Sequence, residues 1–157
     1  MATRMADGAM TVSTARGARF ERDIWLRRIG QEEAAVSWVV AGEAKSDGAA
    51  AKAQMLSCDR QGCLYRAGGK KVALVSHPAA VAEECWAADV LIATLPVRGR
   101  CPVPEVVIDR FDLWRDGAHA VWLADGDIRV ETANGTRGRR PWVARPRAGP
   151  GPISSGA

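Results

Sequence analysis

The sequence predicts an α/β (α+β) fold, and three observations carry that prediction. The runs Val90-Leu91-Ile92-Ala93 and Val106-Val107-Ile108 are short, wholly apolar and bounded by Gly or Pro, as strands buried on both faces of a parallel-type sheet are. Lys71–Val75, the segment AAVAEECWAA after Pro78, and the run led in by Asp89 give strand, helix and strand between residues 71 and 93, a compact βαβ-like unit. Two hairpin patterns, before and after this unit, add antiparallel pairs.

Taken in order, residues 1–19 mix Ala, Gly, Thr and Arg without an apolar period and are predicted to be unstructured. Phe20, Ile24 and Trp25 space out a short helix over Phe20–Arg28, ended by Gly30. Glu32–Val40 fits helix or strand, with its acids suited to a helix start. Gly42–Ala51 reads as a linker. Met55–Cys58, the turn Asp59–Gly62 and Cys63–Arg66 form a hairpin, with Gly62 expected near the left-handed region. A turn at Ala67–Lys70 leads into Lys71–Val75. Pro78 opens a helix with Ser76 or His77 at its N-cap. On that helix Glu83 and Glu84 point outward while Val81, Cys85 and Ala88 face the core. Pro96 stops the next strand and a basic, cysteine-bearing loop spans Val97–Pro104. Asp109–Arg115 then makes one or two helical turns. A second hairpin joins Ala118–Leu123 to Ile128–Thr132. From Val143 the chain is Pro, Gly, Ser and Arg with little to bury. The expected organisation is therefore a disordered N-terminus (1–19), a folded part (20–142) and a disordered basic tail (143–157).

The net charge of +4 is carried by the ends. Residues 20–135 hold 14 basic and 17 acidic side chains, so the body is acidic overall. A protein that grips a phosphate backbone over a broad face is basic in its folded part, which argues against that class. Apolar stretches fall far short of the roughly 20 residues that span a bilayer, and the N-terminus lacks the apolar region of a signal peptide.

Residues that could carry chemistry are few. Cys58, Cys63, Cys85 and Cys101 allow zinc ligation, disulfides or simple burial. The first pair has C-x4-C spacing, but the second is far wider than a zinc knuckle, so disulfides suit the four better. Cys58 and Cys63 flank a hairpin turn, and Cys85 on its helix could meet Cys101 in the loop. His77 and His119 lack the partners of a two-metal site. No nucleophile elbow, phosphate-binding loop or dinucleotide fingerprint occurs. Asp109, Asp112 and Asp116 read as a solvated helix face rather than an acid/base pair. Arg98 and Arg100, together with Arg137, Arg139, Arg140 and Trp142, are the basic clusters that could meet phosphates, with Trp142 stacking on a base.

The order of these features resembles a known family. Cys58-Asp-Arg-Gln-Gly-Cys63, then KKVALVSHPAAVAEECWAADVLIATLPVRGRC, then VVIDRFDLWRDGAHAV and RGRRPW (137–142) are similar to the C-terminal region of the ComEC family, bacterial inner-membrane proteins of natural competence and DNA uptake. The resemblance covers Phe20 to Val143. It implies the second half of a metallo-β-lactamase-like αββα sandwich, without the membrane channel, as a truncated reading frame or detached domain. Metal-competent members carry an H-x-H-x-D-H string, absent here, and later histidines in a loop resembling V-x-H-H-G. This chain has Thr94-Leu95-Pro96-Val97-Arg98-Gly99 at that place. The resemblance thus implies a non-catalytic domain with no cofactor, whose partners are the channel domain or missing half-sandwich and, weakly, DNA. The alternatives are a metal-dependent nuclease or phosphodiesterase and a small nucleic-acid-binding module with a basic tail. It also implies an extracytoplasmic setting at the inner membrane, where Cys58–Cys63 and Cys85–Cys101 would pair; a fragment made alone would stay cytoplasmic with free thiols. Half a sandwich is expected to leave one sheet face uncovered.

Overall fold

The computed structural model describes residues 1–13, 19–31, 36–38, 55–124 and 126–138. The expected linker, the C-terminal tail, Arg139, Arg140 and Trp142 lie outside them, as does most of Glu32–Val40.

The central element is the strand predicted from its unbroken apolar run, Val90–Ala93 (β7). It pairs in parallel with Lys70–Val75 (β6) on one side and Val106–Ile108 (β8) on the other. Val90, Leu91 and Ala93 have no exposed surface, which is why the run does not alternate with polar residues. Gly62–Ala67 (β5) pairs antiparallel with β6, and Leu56–Cys58 (β4) with β5. The result is a five-stranded mixed sheet in the order β4-β5-β6-β7-β8. The α/β (α+β) class is thereby observed.

Both faces of this sheet are covered. On one, Ala73, Val75, Leu91 and Ala93 pack with Cys85 and Ala88, which follow the βαβ helix, and with Leu95, Val97 and Cys101 from the loop after β7. That helix, Pro78–Glu84 (α2), starts as expected with Pro at its first turn and His77 as N-cap. On the other face, Val72, Leu74 and Val90 pack against Trp38 and against Leu123 and Ile128 of the C-terminal hairpin. The hairpin, His119–Ala124 (β9) with Asp127–Thr132 (β10), alternates half-buried and exposed residues because only one of its faces meets the sheet. The expectation of a bare sheet face is therefore not met; the hairpin fills that place.

The N-terminal segment also departs from expectation. Residues 1–19, predicted to be unstructured, contain Ala2–Arg4 (β1) and Met10–Val12 (β2), an antiparallel pair. Val36–Ser37 (β3) joins β2 in parallel. The helix predicted over Phe20–Arg28 is Arg19–Ile29 (α1), and it is followed by Gly30 at φ +71°. Its buried Leu26 closes over Val12. Each strand here is too short to show a period in sequence, and only pairing with a distant partner satisfies its backbone. The Tyr65 hydroxyl donates to the Arg4 carbonyl at 2.5 Å and links this small sheet to β5. Burial raises the Tyr65 pKa, since ionising the phenol there would strand a charge away from water.

Two glycines matter for steric reasons. Gly62 was expected to supply left-handed backbone, but its φ is not positive; instead a Cβ there would lie 2.4 Å from the Leu74 carbonyl oxygen. Its need is for close approach of β5 to β6. Gly68 has φ +58°, and a Cβ would stand 3.1 Å from the Leu123 carbonyl, so the β5–β6 turn seats directly on β9.

Candidate functional site

The loop of residues 94–105 connects two adjacent parallel strands, β7 and β8, and crosses the sheet face without forming a helix. Irregular backbone needs other anchors, and at its start the Thr94 N–H donates to the Val75 carbonyl at 3.2 Å, with four more beyond. The Val97 N–H donates to Asp109 Oδ2 at 3.1 Å. Cys101 forms a disulfide with Cys85, with Cα atoms 4.6 Å apart. The Val103 N–H donates to the Cys85 carbonyl at 3.3 Å, and the Glu105 N–H to the Asp89 carbonyl at 2.8 Å. Leu95 and Val97, both half-buried, pack against the core. Between the Val97 and Cys101 anchors, Arg98, Gly99 and Arg100 stand exposed, with Gly99 at φ +94°.

The second disulfide joins Cys58 to Cys63, directly opposite each other in the β4–β5 register. The Asp59 N–H bonds the Gly62 carbonyl next to them, so Cys58 and Cys63 occupy the adjacent pair of the ladder, where opposed side chains come closest. All four cysteines are thus consumed in structural bonds, and the zinc and free-thiol alternatives are set aside for this state of the chain.

Beside β8 the segment Arg110–Asp116 (α3) begins with a reciprocal cap. Asp109 Oδ1 accepts from the Phe111 and Asp112 amides, at 2.7 and 3.2 Å, while Asp112 Oδ2 accepts from the Asp109 amide at 2.9 Å. With Val97 on Oδ2, both Asp109 oxygens are engaged. Asp112 and Asp116 also pair with Arg115. The expectation of a solvated acidic face is corrected: Asp109 and Asp112 build the helix start, and Asp109 also holds the loop. The spacing D-x-x-D before an apolar residue was the signal for this capping box.

Burial opposes the charged form of Asp112, but the Asp109 amide and the Arg115 guanidinium outweigh it and hold its carboxyl below the usual range. A depressed folded pKa means that the carboxylate adds stability above its ordinary pKa, and this is lost as pH falls through the lower folded value. Unfolding free energy measured from neutral pH to below about pH 4 is expected to drop, and Asp112→Asn to shrink that drop. An unchanged acid limb in the variant would refute the assignment.

Asp109→Asn separates the two jobs of this residue. The amide oxygen still caps α3, but an NH2 in place of Oδ2 cannot accept from Val97. The expected cost is about 1 kcal/mol, with faster hydrogen exchange at Val97 and unchanged exchange in β6. Exchange at Val97 equal to that of the parent chain would reject the tether.

The other sequence candidates fall elsewhere. His77 accepts from the Ala79 amide through Nδ1 at 3.3 Å, and His119 Nδ1 lies 2.8 Å from the Gly117 carbonyl. Arg137 ends a short helix, Ala133–Arg137 (α4), that the sequence pattern did not indicate; its Thr132 N-cap accepts from the Gly135 amide. Glu84, expected to be exposed, is half-buried: its Oε2 has no hydrogen-bond donor, and Lys71 Nζ at 3.5 Å supplies charge without a hydrogen bond. A shallow depression of about 350 Å3 lies between the Cys58–Cys63 hairpin and α2, edged by Asp59, Glu83 and Glu84. Among the described residues, no group of three or more His, Cys, Asp or Glu side chains could hold a metal ion, and no helix is long and apolar enough to cross a membrane.

What the sequence reading overlooked is the outer face of α3. Phe111 is 56% exposed and Trp114 69% exposed. Of the three apolar residues in Phe111-Asp-Leu-Trp114, a helix of two turns can turn only part away from solvent, and of the three Leu113 alone is half-buried. No protein-family model, curated protein or solved structure matches the chain.

Proposed function

We propose that the chain is a non-catalytic, metallo-β-lactamase-like domain of a ComEC-like DNA-uptake protein, corresponding to the second half of an αββα sandwich. The observation that carries this reading is the loop of residues 94–105. Where the family resemblance calls for ligand histidines, this loop packs the half-buried Leu95 and Val97 against the core, and the nearby Asp109 spends both oxygens on backbone amides. Asp112 is held in the same way and by Arg115. A carboxylate whose lone pairs already accept short hydrogen bonds is poorly placed to bind a metal or move a proton. The motif strings IDR-x-x-LW-x-x-GAHAV (108–121) and RG-x-RPW (137–142) support the family assignment.

In this reading the disulfides are structural staples suited to an extracytoplasmic setting at the inner membrane. The partners are the channel domain, the other half-sandwich and DNA. Metal analysis of the purified full chain, after incubation with zinc or manganese, tests the proposal together with a DNA degradation assay. The expected result is no stoichiometric metal and no metal-dependent cleavage. Either bound metal near one equivalent or cleavage abolished by a chelator would establish the nuclease alternative instead.

A further inference from the structure

We infer that the outer face of α3 and the adjoining loop tip form a contact site for single-stranded nucleic acid, with Phe111 and Trp114 as stacking platforms. The inference rests on the DNA-uptake reading and deepens it by naming the strand form and the residues.

Two kinds of group meet here. Phe111 and Trp114, three residues apart, share one side of α3 and are largely exposed. Arg110 is exposed in the first position of the same helix. The hydrogen bond from Val97 to Asp109 brings the loop to the start of α3, so Arg98 follows one anchor residue and Arg110 the other. Arg98 and Arg100 are held at the surface between that anchor and the Cys85–Cys101 bond. Among the described residues no carboxylate pairs with Arg98, Arg100 or Arg110, whereas Arg115 is committed to Asp112 and Asp116. The neighbouring Asp109 is occupied by amides.

Exposed flat rings beside unpaired guanidinium groups fit a polyanion that also presents flat faces. A protein partner with an apolar face would match the rings but leave the arginines unused. A duplex offers phosphates but keeps its bases stacked internally, so the rings would have no partner. A single strand satisfies both: its phosphates meet the arginines and its unstacked bases meet Phe111 and Trp114. The acidic balance of residues 20–135 confines such binding to a patch.

The test is fluorescence anisotropy with the full chain, in chelator, using a labelled oligothymidylate of about 15 nucleotides and a duplex of the same length. The single strand is expected to bind more tightly than the duplex. Trp114→Ala is expected to weaken single-strand binding about tenfold or more, and Trp122→Ala, at an exposed tryptophan on β9, to leave it unchanged. Replacing Arg98 and Arg100 together by alanine should flatten the dependence of log affinity on log salt by about 1.4. Absent binding, equal or tighter binding of duplex, an unaffected Trp114→Ala, an equal loss in Trp122→Ala or an unchanged salt slope would each overturn the site. None of these results bears on metal content or cleavage, so the non-catalytic reading stands or falls separately.

Discussion

Leu91→Ala is expected to lower the unfolding free energy by about 3 kcal/mol, within the range of roughly 2–5 kcal/mol for emptying a leucine site in a packed core. Leu91 is wholly buried in an inner strand, hydrogen-bonded on both sides, and packs with Cys85, Ala88 and the loop residues. Parallel strands on either side restrict the backbone from collapsing into the void, so the cavity term is retained. In a domain whose total stability is on the order of 5–15 kcal/mol, the loss is a large share. Urea denaturation of the oxidised protein provides the measurement. Ile92→Val, at a half-buried position of the same strand, is expected to cost about 1 kcal/mol. A Leu91→Ala loss no greater than that of Ile92→Val would show that β7 is not the centre of the core.

The second large effect concerns the disulfides. Cys101→Ser is expected to cost about 3 kcal/mol, and Cys63→Ser about 2 kcal/mol, because closing a longer loop removes more entropy from the unfolded chain. The sequence separations are 16 and 5 residues. The difference has a structural side as well. Loss of the Cys58–Cys63 bond leaves β4 and β5 paired through their ladder, whereas the loop of residues 94–105 has no ladder of its own. Freeing Cys101 removes its covalent tie to the sheet face and leaves the backbone anchors at Val97, Val103 and Glu105. Hydrogen exchange should accordingly accelerate at residues 98–103 in Cys101→Ser and remain slow there in Cys63→Ser. Equal stability losses, or faster loop exchange in Cys63→Ser, would overturn this ranking.

The two effects bear on the functional proposals in different ways. Leu91→Ala weakens the scaffold as a whole, whereas loss of the Cys85–Cys101 bond acts locally, on the segment that presents Arg98 and Arg100. A cell compartment that keeps thiols oxidised therefore favours a fixed loop tip, and a reducing one a mobile tip. The capping box at Asp109 ties the same loop to α3 from the other side, so the arginines and the exposed rings are positioned by one shared network.

Much of the scaffold was legible from local pattern. The apolar run of β7, Pro78 at the start of α2, the hairpin turns and Gly30 after α1 are signals written within a few residues, and each marks where an element lies, although α2 ends at Glu84 where the sequence pattern carried it to Ala88. The cysteine spacing made disulfides preferable to zinc, and the resemblance suggested the pairing that is observed. What depended on tertiary structure involves partners far apart in the chain. β1, β2 and β3 are too short to show a period and exist through their mutual pairing, with Leu26 covering Val12. Asp109 acquires its second role only because the fold brings Val97 to it. The covering of the second sheet face by β9–β10, the half-burial of Glu84 and the exposure of Phe111 and Trp114 likewise follow from which surfaces meet. Periodicity reports whether a residue could face a core; the assembled elements decide whether a core is there to face.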